Sequence, residues 1–403
     1  MRISSAAKKA FLLGGLCSVA YLAVYVAKNT LSACTPQITE AGVFSTEQIG
    51  SMASVYFIVY AIGQLINGAI GDKVKAKYMI SFGLVLSSIG ILTLPRLSAH
   101  PLYAYIAYGS TGFCLAMIYG PMTKVVAENV EPIYATRCSI GYNLASFLGS
   151  PVAGLLAAAM PWLAVFHTTG TVVIGMGTVT FLMFTLMERK GIVKYGQYQK
   201  PKSTAGGVKL LLKRQIVKFI FIAALTGVVR TTVVFWLPTY ISQHLGFAPD
   251  TAAMIFTVAS LFLSFSAILS IAVYERLNNN MDLTILLSFG LASVSFLIVF
   301  FLKNPIANVA FMVIGILANN CASSMLWSRY CPSLYDTGMV SSATGFLDFC
   351  SYMAASVSTK LFADAVGSIG WSGLILIWLA LMCGGVVVAL PWNRWIKKRS
   401  VVS

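Results

Sequence analysis

Ionisable side chains are scarce in this chain. Asp and Glu number 12 and His 3 in 403 residues, and charged residues together make up 10%. A water-soluble domain carries about 25% charged residues, so this composition excludes one. The three histidines, His100, His167 and His244, are scattered without ligand spacing, and no metal centre is expected from them. Eight cysteines occur, yet none form a Cys-x-x-Cys pair, so no disulfide framework is expected and they read as small packing residues. Gly-x-Ser-x-Gly, a phosphate-binding P-loop and a pair of catalytic carboxylates are all lacking. Neither enzymatic activity nor a cofactor is expected.

What the chain has in abundance is apolar length. Hydrophobic residues make up 58%, and the mean hydropathy is +0.82. Runs long enough to cross a bilayer, about 20 residues each, recur at 10–34, 48–71, 78–95, 102–126, 138–160, 162–187, 216–241, 251–274, 283–302, 305–327, 339–362 and 371–392. In lipid only helices and closed barrels satisfy the backbone, and these runs do not alternate as barrel strands do. The fold class expected is therefore an all-α membrane protein of twelve transmembrane helices. The apolar run Ala10 to Ala27 after a basic start resembles a signal peptide, but it is longer than an ordinary signal core of about 7–15 residues. It reads as the first span.

The net charge of +16 is distributed by topology. Of 28 Lys and Arg, 23 fall in segments on one side of the predicted spans: Arg2, Lys8 and Lys9, Lys73 to Lys77, Lys124 and Arg137, nine from Arg189 to Lys218, Arg276, Arg329, and four from Arg394 to Arg399. Arg96, Lys303 and Lys360 fall on the other side. That bias places both termini in the cytoplasm of a cell whose inner membrane holds the chain, and it removes nucleic acid as a partner.

One long hydrophilic connection, rich in Lys and Arg, divides the spans six and six. The predicted organisation is 1–187, a central loop 188–215, and 216–403. The halves echo one another. Lys28 and Arg230, the two basic residues within spans, are 202 residues apart, and each precedes a proline, Pro36 and Pro238, by 8. Phe44 and Phe247 are offset by 203, as are Asp72-Lys73 and Glu275-Arg276. Related repeats of this kind place a substrate site near the bilayer midplane.

A basic side chain at the bilayer centre costs about 2.5–3.5 kcal/mol, so a chain that keeps one there uses it. Arg230 sits mid-span and offers the planar fork that grips phosphate or carboxylate. A structural role paired with Asp348, the acidic residue placed deep in a span, is the alternative. Lys28 shares one helical face with Tyr21 and Tyr25, the three standing at i+7, i and i+4. A polar stripe on an apolar helix suits one that lines a cavity, although Lys28 could also snorkel outward. Asp348 is read as a charge partner or as a proton carrier. Asn67, Asn143, Asn319 and Asn320 either line the cavity or bond between helices.

Gly68-Ala-Ile-Gly-Asp72-Lys73-Val-Lys75-Ala-Lys77, in the loop after span 2, resembles the signature of the major facilitator superfamily. Its expected role is a conformational latch formed by Gly68, Asp72 and Lys73 and echoed at Glu275 and Arg276. Tyr21-x3-Tyr25-x2-Lys28-Asn29, Gly42-Val-Phe-Ser and Arg230-x5-Trp236-x-Pro238-Thr-Tyr240 join it in resembling the organophosphate:phosphate antiporters of that superfamily. The resemblance runs over nearly the whole chain and implies two pseudo-symmetric six-helix bundles that rock about a bound anion. It also implies that Lys28 and Arg230 hold the phosphate, with Tyr21, Tyr25, Tyr60 and Tyr352 as hydrogen-bonding neighbours. This chain departs from the family pattern at Lys28, where Arg is usual, at Gln64 in place of a lysine, and at Ser146 in place of a histidine. Less positive charge leaves a carboxylate open beside a phosphate ester. The neighbouring organic-anion/proton symporters share Trp-Leu-Pro-Thr-Tyr but carry an acid where this chain has Ala27.

The expectation is thus a monomeric secondary transporter of a small organic phosphate or related anion, exchanging it for inorganic phosphate. A proton-coupled symporter of a sugar acid and a transporter-like sugar-phosphate sensor are the alternatives.

Overall fold

A computed structural model describes residues 5–71, 73–195, 207–334 and 340–390, and the regular structure among them is helical. In chain order the helices are α1 (Ser5–Glu40), α2 (Thr46–Gly71), α3 (Ala76–Thr93), α4 (Pro101–Leu115), α5 (Tyr119–Asn129), α6 (Pro132–Ala159), α7 (Trp162–Arg189) and α8 (Gly207–Lys213). They continue as α9 (Ile216–Gly227), α10 (Val234–Gln243), α11 (Pro249–Ser264), α12 (Ser266–Arg276), α13 (Met281–Phe301), α14 (Pro305–Met325), the single turn α15 (Cys331–Ser333) and α16 (Val340–Ala389). Two π-helical turns, Val228–Val233 and Leu326–Tyr330, interrupt the series.

Among the described residues nine helices are long and apolar enough to cross a membrane, and ten if α11 and α12, bent by 44°, form one span. The twelve predicted segments map onto these with identifiable differences. The fifth is represented by a shorter apolar helix, Leu144–Ala159, within α6. The eleventh and twelfth lie in α16, which is broken at Gly370, where φ is 69° and ψ 178°. That backbone is open only to glycine at little cost. The fourth segment is divided between α4 and α5 by turns in which Met117 N–H donates to Cys114 and Ile118 N–H to Leu115.

The repeat is visible in how two helices end. After α1, Gly42 takes φ 65° and Val43 N–H donates to the Ile38 carbonyl at 3.2 Å. After α10, Gly246 takes φ 78° and Phe247 N–H donates to the Ile241 carbonyl at 3.4 Å. Both are glycine-terminated caps in which a backbone bond, spanning six residues in the first and seven in the second, uses up an orphan carbonyl.

The contacts group the chain into two compact units. One contains α1 to α7 with Phe235–Ser264 and Ser356–Asp364. There α1 packs most extensively on α6, α3 on α7, α2 on α4, and α11 on α6. Gly149 of α6 lies against Tyr25 of α1 so closely that an added Cβ would overlap the Tyr25 backbone. Glycine here permits the backbone approach that apolar helices in lipid rely on for association. Polar clasps support the same unit. The Gln37 amide donates to the Ala157 carbonyl at 2.6 Å, the Ser32 hydroxyl donates to the Phe235 carbonyl at 2.5 Å, and the Ser356 hydroxyl donates to the Ser54 carbonyl at 2.8 Å. Cys17, Cys34 and Cys138 are buried among these helices.

The second unit contains α8, α9 and the π turn through Val234, then Phe265–Ala355 and the part of α16 after Asp364. Its α13 packs on α14, and α14 on α12. The Phe296 and Trp378 rings meet at 6.1 Å. The Lys218 ammonium pairs with Asp282 at 3.0 Å, and Phe219 stacks on Tyr330 with centroids 3.4 Å apart.

Candidate functional site

In the first unit the sequence-predicted residues Lys28, Tyr21, Tyr25 and Tyr60 come together. The Lys28 ammonium lies 5.2 Å from the Tyr25 ring centroid, 4.9 Å from Tyr60 and 6.0 Å from Phe57. It is half-buried. From Tyr25 the aromatic cluster continues to Tyr21 at 5.0 Å, and from Tyr21 to Tyr119 at 5.5 Å and Tyr142 at 6.3 Å. Tyr60 stacks on Tyr56 at 5.9 Å, and Tyr56 meets Tyr108 at 4.9 Å.

Sequence reasoning missed Tyr56, Phe57, Tyr108, Tyr119 and Tyr142. Part of the signal was there, since Tyr56 and Tyr60 on α2 repeat the i, i+4 spacing of Tyr21 and Tyr25 on α1. Gln64 follows Tyr60 by one more turn, on the same face, and is half-buried, as is Ser146 on α6.

Magnitudes show what this cage does. A ring contact with a cation is worth about 0.5–1 kcal/mol, and about 2 when desolvated. Two close rings and a third at the limit of range offset a large part of the roughly 2.5–3.5 kcal/mol that a membrane cation costs. The remainder is what a bound anion can supply.

In the second unit Arg230 sits within the π-helical turn Val228–Val233 and its guanidinium lies 5.9 Å from the Tyr352 ring. Its Nε and Nη2 atoms are buried. The turn arises where Val228, Val229, Thr231, Thr232 and Val233 crowd one stretch with β-branched side chains. Single π turns inside α-helices frequently mark functional positions. Gly227 lets α9 lie against Ser351, and the Thr232 hydroxyl donates to the Ala355 carbonyl at 3.0 Å, which fixes the turn on α16. Asp348 precedes Tyr352 by four residues and so shares its face of α16. The Asn319 amide donates to the Thr226 carbonyl at 3.3 Å, bonding between helices as one of its two readings held. Asn67 does likewise, to Phe113 at 3.2 Å.

Among the latch residues, Gly68 lies on α2, Lys73 is exposed, and Glu275 and Arg276 are exposed at the end of α12. Asp72 lies outside the described residues. The basic neighbours of the signature are engaged within their own unit. Lys75 pairs with Glu188 at 2.6 Å, Lys77 pairs with the other oxygen of the same carboxylate, and Lys124 donates to the Gly71 carbonyl at 3.0 Å. The hydrogen bond to Glu188 raises the Lys75 pKa above the ordinary lysine value. The side chain of Asn129 grips Lys194 beyond it, accepting from its N–H at 2.7 Å and donating to its carbonyl at 2.8 Å. Glu188→Gln is expected to lower the apparent Tm by a few degrees in detergent and to speed proteolysis after Lys194, because two ammonium groups then lose their shared carboxylate.

The family model described as Major Facilitator Superfamily matches residues 17–359. The chain belongs to this superfamily. Its relatives include the membrane sensor protein UhpC of Escherichia coli (strain K12), 24% identical over 89% of this chain and 86% of that protein. The glycerol-3-phosphate transporter of Bacillus subtilis (strain 168) is 22% identical over 93% of this chain and 90% of its own length. The crystal structure of a D-xylose-proton symporter superposes with a TM-score of 0.71, 12% identity, and coverage of 94% of this chain and 96% of the symporter. The fold expected from the apolar runs and the signature is thus the one this major facilitator protein has, and its superfamily is one of transporters rather than enzymes.

Proposed function

We propose that this protein is a secondary transporter that exchanges a small organic phosphate for inorganic phosphate across a cell's inner membrane, with both termini in the cytoplasm. It would work as two halves, 1–187 and 216–403, joined by the loop 188–215. Lys28 of the first half and Arg230 of the second bind the anionic group. One observation carries the reading: each of the two basic residues within the apolar spans lies near tyrosine rings, Lys28 by Tyr25 and Tyr60 and Arg230 by Tyr352. The similarity to a glycerol-3-phosphate transporter supports phosphate as the anion. Charge neutralisation supplies the coupling. An empty pair of like charges resists being drawn together, and a bound phosphate removes the resistance. Exchange, rather than net uptake, follows from that.

Proteoliposomes loaded with phosphate test the reading, with external radioactive phosphate and phosphate esters as counter-substrates. Uptake that requires internal phosphate supports exchange. Asp348→Asn separates exchange from the proton-coupled alternative. We expect phosphate exchange to retain more than about half its rate, because no proton carrier is needed. A symporter would lose pH-driven uptake with that substitution. The similarity to a sensor protein favours a second reading, ligand binding without flux, and saturable binding in detergent with no exchange in proteoliposomes would establish it.

A further inference from the structure

Tyr119 is the most exposed tyrosine of the cluster around Lys28. Tyr21, Tyr56, Tyr60, Tyr108 and Tyr142 are buried, while Tyr119 is 36% exposed. Its chain neighbours Leu115, Ala116 and Met122 are 1%, 3% and 0% exposed, and Thr123 is half-buried. The most exposed apolar residues of α4 are Leu102, Tyr103 and Ile106. The Tyr119 ring packs on Tyr21 at 5.5 Å and on Tyr142 at 6.3 Å, and Tyr21 leads through Tyr25 to the Lys28 ammonium. Tyr119 therefore presents an accessible edge on the same aromatic surface as the cation, two rings beyond Tyr25.

That spacing divides the labour. Tyr25 and Tyr60 are adjacent to the ammonium and lie within reach of an anion held there. Tyr119 packs on Tyr21 and Tyr142, whereas the ring contacts of the ammonium are with Tyr25, Tyr60 and Phe57. A phosphate ester extends from its anionic group, and a hydroxyl-bearing carbon skeleton can follow the rings. A phenol donates and accepts hydrogen bonds while its ring presents an apolar face, which suits a chain of alternating C–H and O–H groups.

We propose that Tyr119 is a specificity-determining residue. In this assignment its hydroxyl hydrogen-bonds to the hydroxylated skeleton of a phosphate ester whose anionic group is held at Lys28. The inference rests on the transport reading above, and it adds a residue that discriminates the ester from inorganic phosphate. The test is Tyr119→Phe in phosphate-loaded proteoliposomes, with Tyr103→Phe, outside the cluster on α4, as the control. Glucose 6-phosphate and glycerol 3-phosphate serve as competitors of radioactive phosphate uptake.

Loss of one neutral hydrogen bond is expected to raise the half-inhibitory concentration of the better ester about three- to tenfold. The KM for phosphate self-exchange stays unchanged, and Tyr103→Phe moves neither. A parallel change in ester and phosphate would mean that Tyr119 only supports the fold, and no change in either would mean that it does not meet the ester. Both outcomes overturn the assignment while leaving exchange intact. Absence of phosphate exchange in the parent protein would overturn the transport reading, and this inference with it.

Discussion

Arg230→Met is expected to reduce phosphate exchange by at least a hundredfold while leaving thermal stability unchanged or raised. The two effects have opposite signs for a physical reason. A guanidinium offering two charge-assisted hydrogen bonds to a phosphate supplies about 1.5–3 kcal/mol from each. Their joint loss corresponds to a hundredfold to ten-thousandfold change in binding. In the unliganded protein the same group costs about 2.5–3.5 kcal/mol for its place in an apolar span, and Met removes that cost at similar volume. Arg230→Lys is expected to fall between, because an ammonium keeps the charge but loses the fork. Exchange assays in proteoliposomes and a thermal melt in detergent provide the two measurements. If Arg230 were a structural partner of Asp348, removing it would strand a carboxylate and lower the melting temperature instead. A melt that drops by many degrees with Arg230→Met therefore argues against the substrate role.

Gly149→Ala is expected to have the largest effect on folding. Alanine is the better helix former by about 1 kcal/mol, so propensity alone predicts stabilisation. Packing opposes it. The added methyl would overlap Cβ, Cα and the carbonyl carbon of Tyr25, and backbone atoms cannot rotate aside. Overpacking of this kind costs about 1–3 kcal/mol or more, and it also moves the helix that carries Lys28. The expected result is a sharp fall in monodisperse yield and in melting temperature, with weakened anion binding in what remains. Gly175→Ala on α7, where nothing lies within 4 Å of the added atom, is the matched comparison and is expected to be neutral or mildly stabilising. Equal stability of the two variants in a fluorescence-detected melt would show that α1 and α6 do not depend on this close approach.

Several features of the site were legible in the sequence because they are stated in single residues. Lys28 and Arg230 interrupt apolar runs, and a charge in such a run is conspicuous whatever surrounds it. The paired glycines 42 and 246 announce their left-handed caps, since few other residues accept that backbone. The tyrosine cage was only half visible. Tyr21 and Tyr25 betray themselves by sharing a helical face with Lys28, but Tyr108, Tyr119 and Tyr142 reach the cluster from other helices, and no local spacing connects them to α1. The small-residue row Gly141, Ala145, Gly149, Ala153 and Ala157 was open to reading as a packing face, at intervals of four along α6. Its partner, α1, could not have been read from it.

By itself the sequence determined that the chain belongs in a bilayer, where most of its apolar helices run, and which two cations need an explanation. Each of these follows from transfer energies that act residue by residue. Only the tertiary structure decided that Lys28 is held over ring faces, that Arg230 lies in a π turn with its guanidinium near the Tyr352 ring, and that Glu188 gathers Lys75 and Lys77. Those depend on which helix faces meet. In lipid that choice is governed by close packing and interhelical hydrogen bonds, and composition records neither.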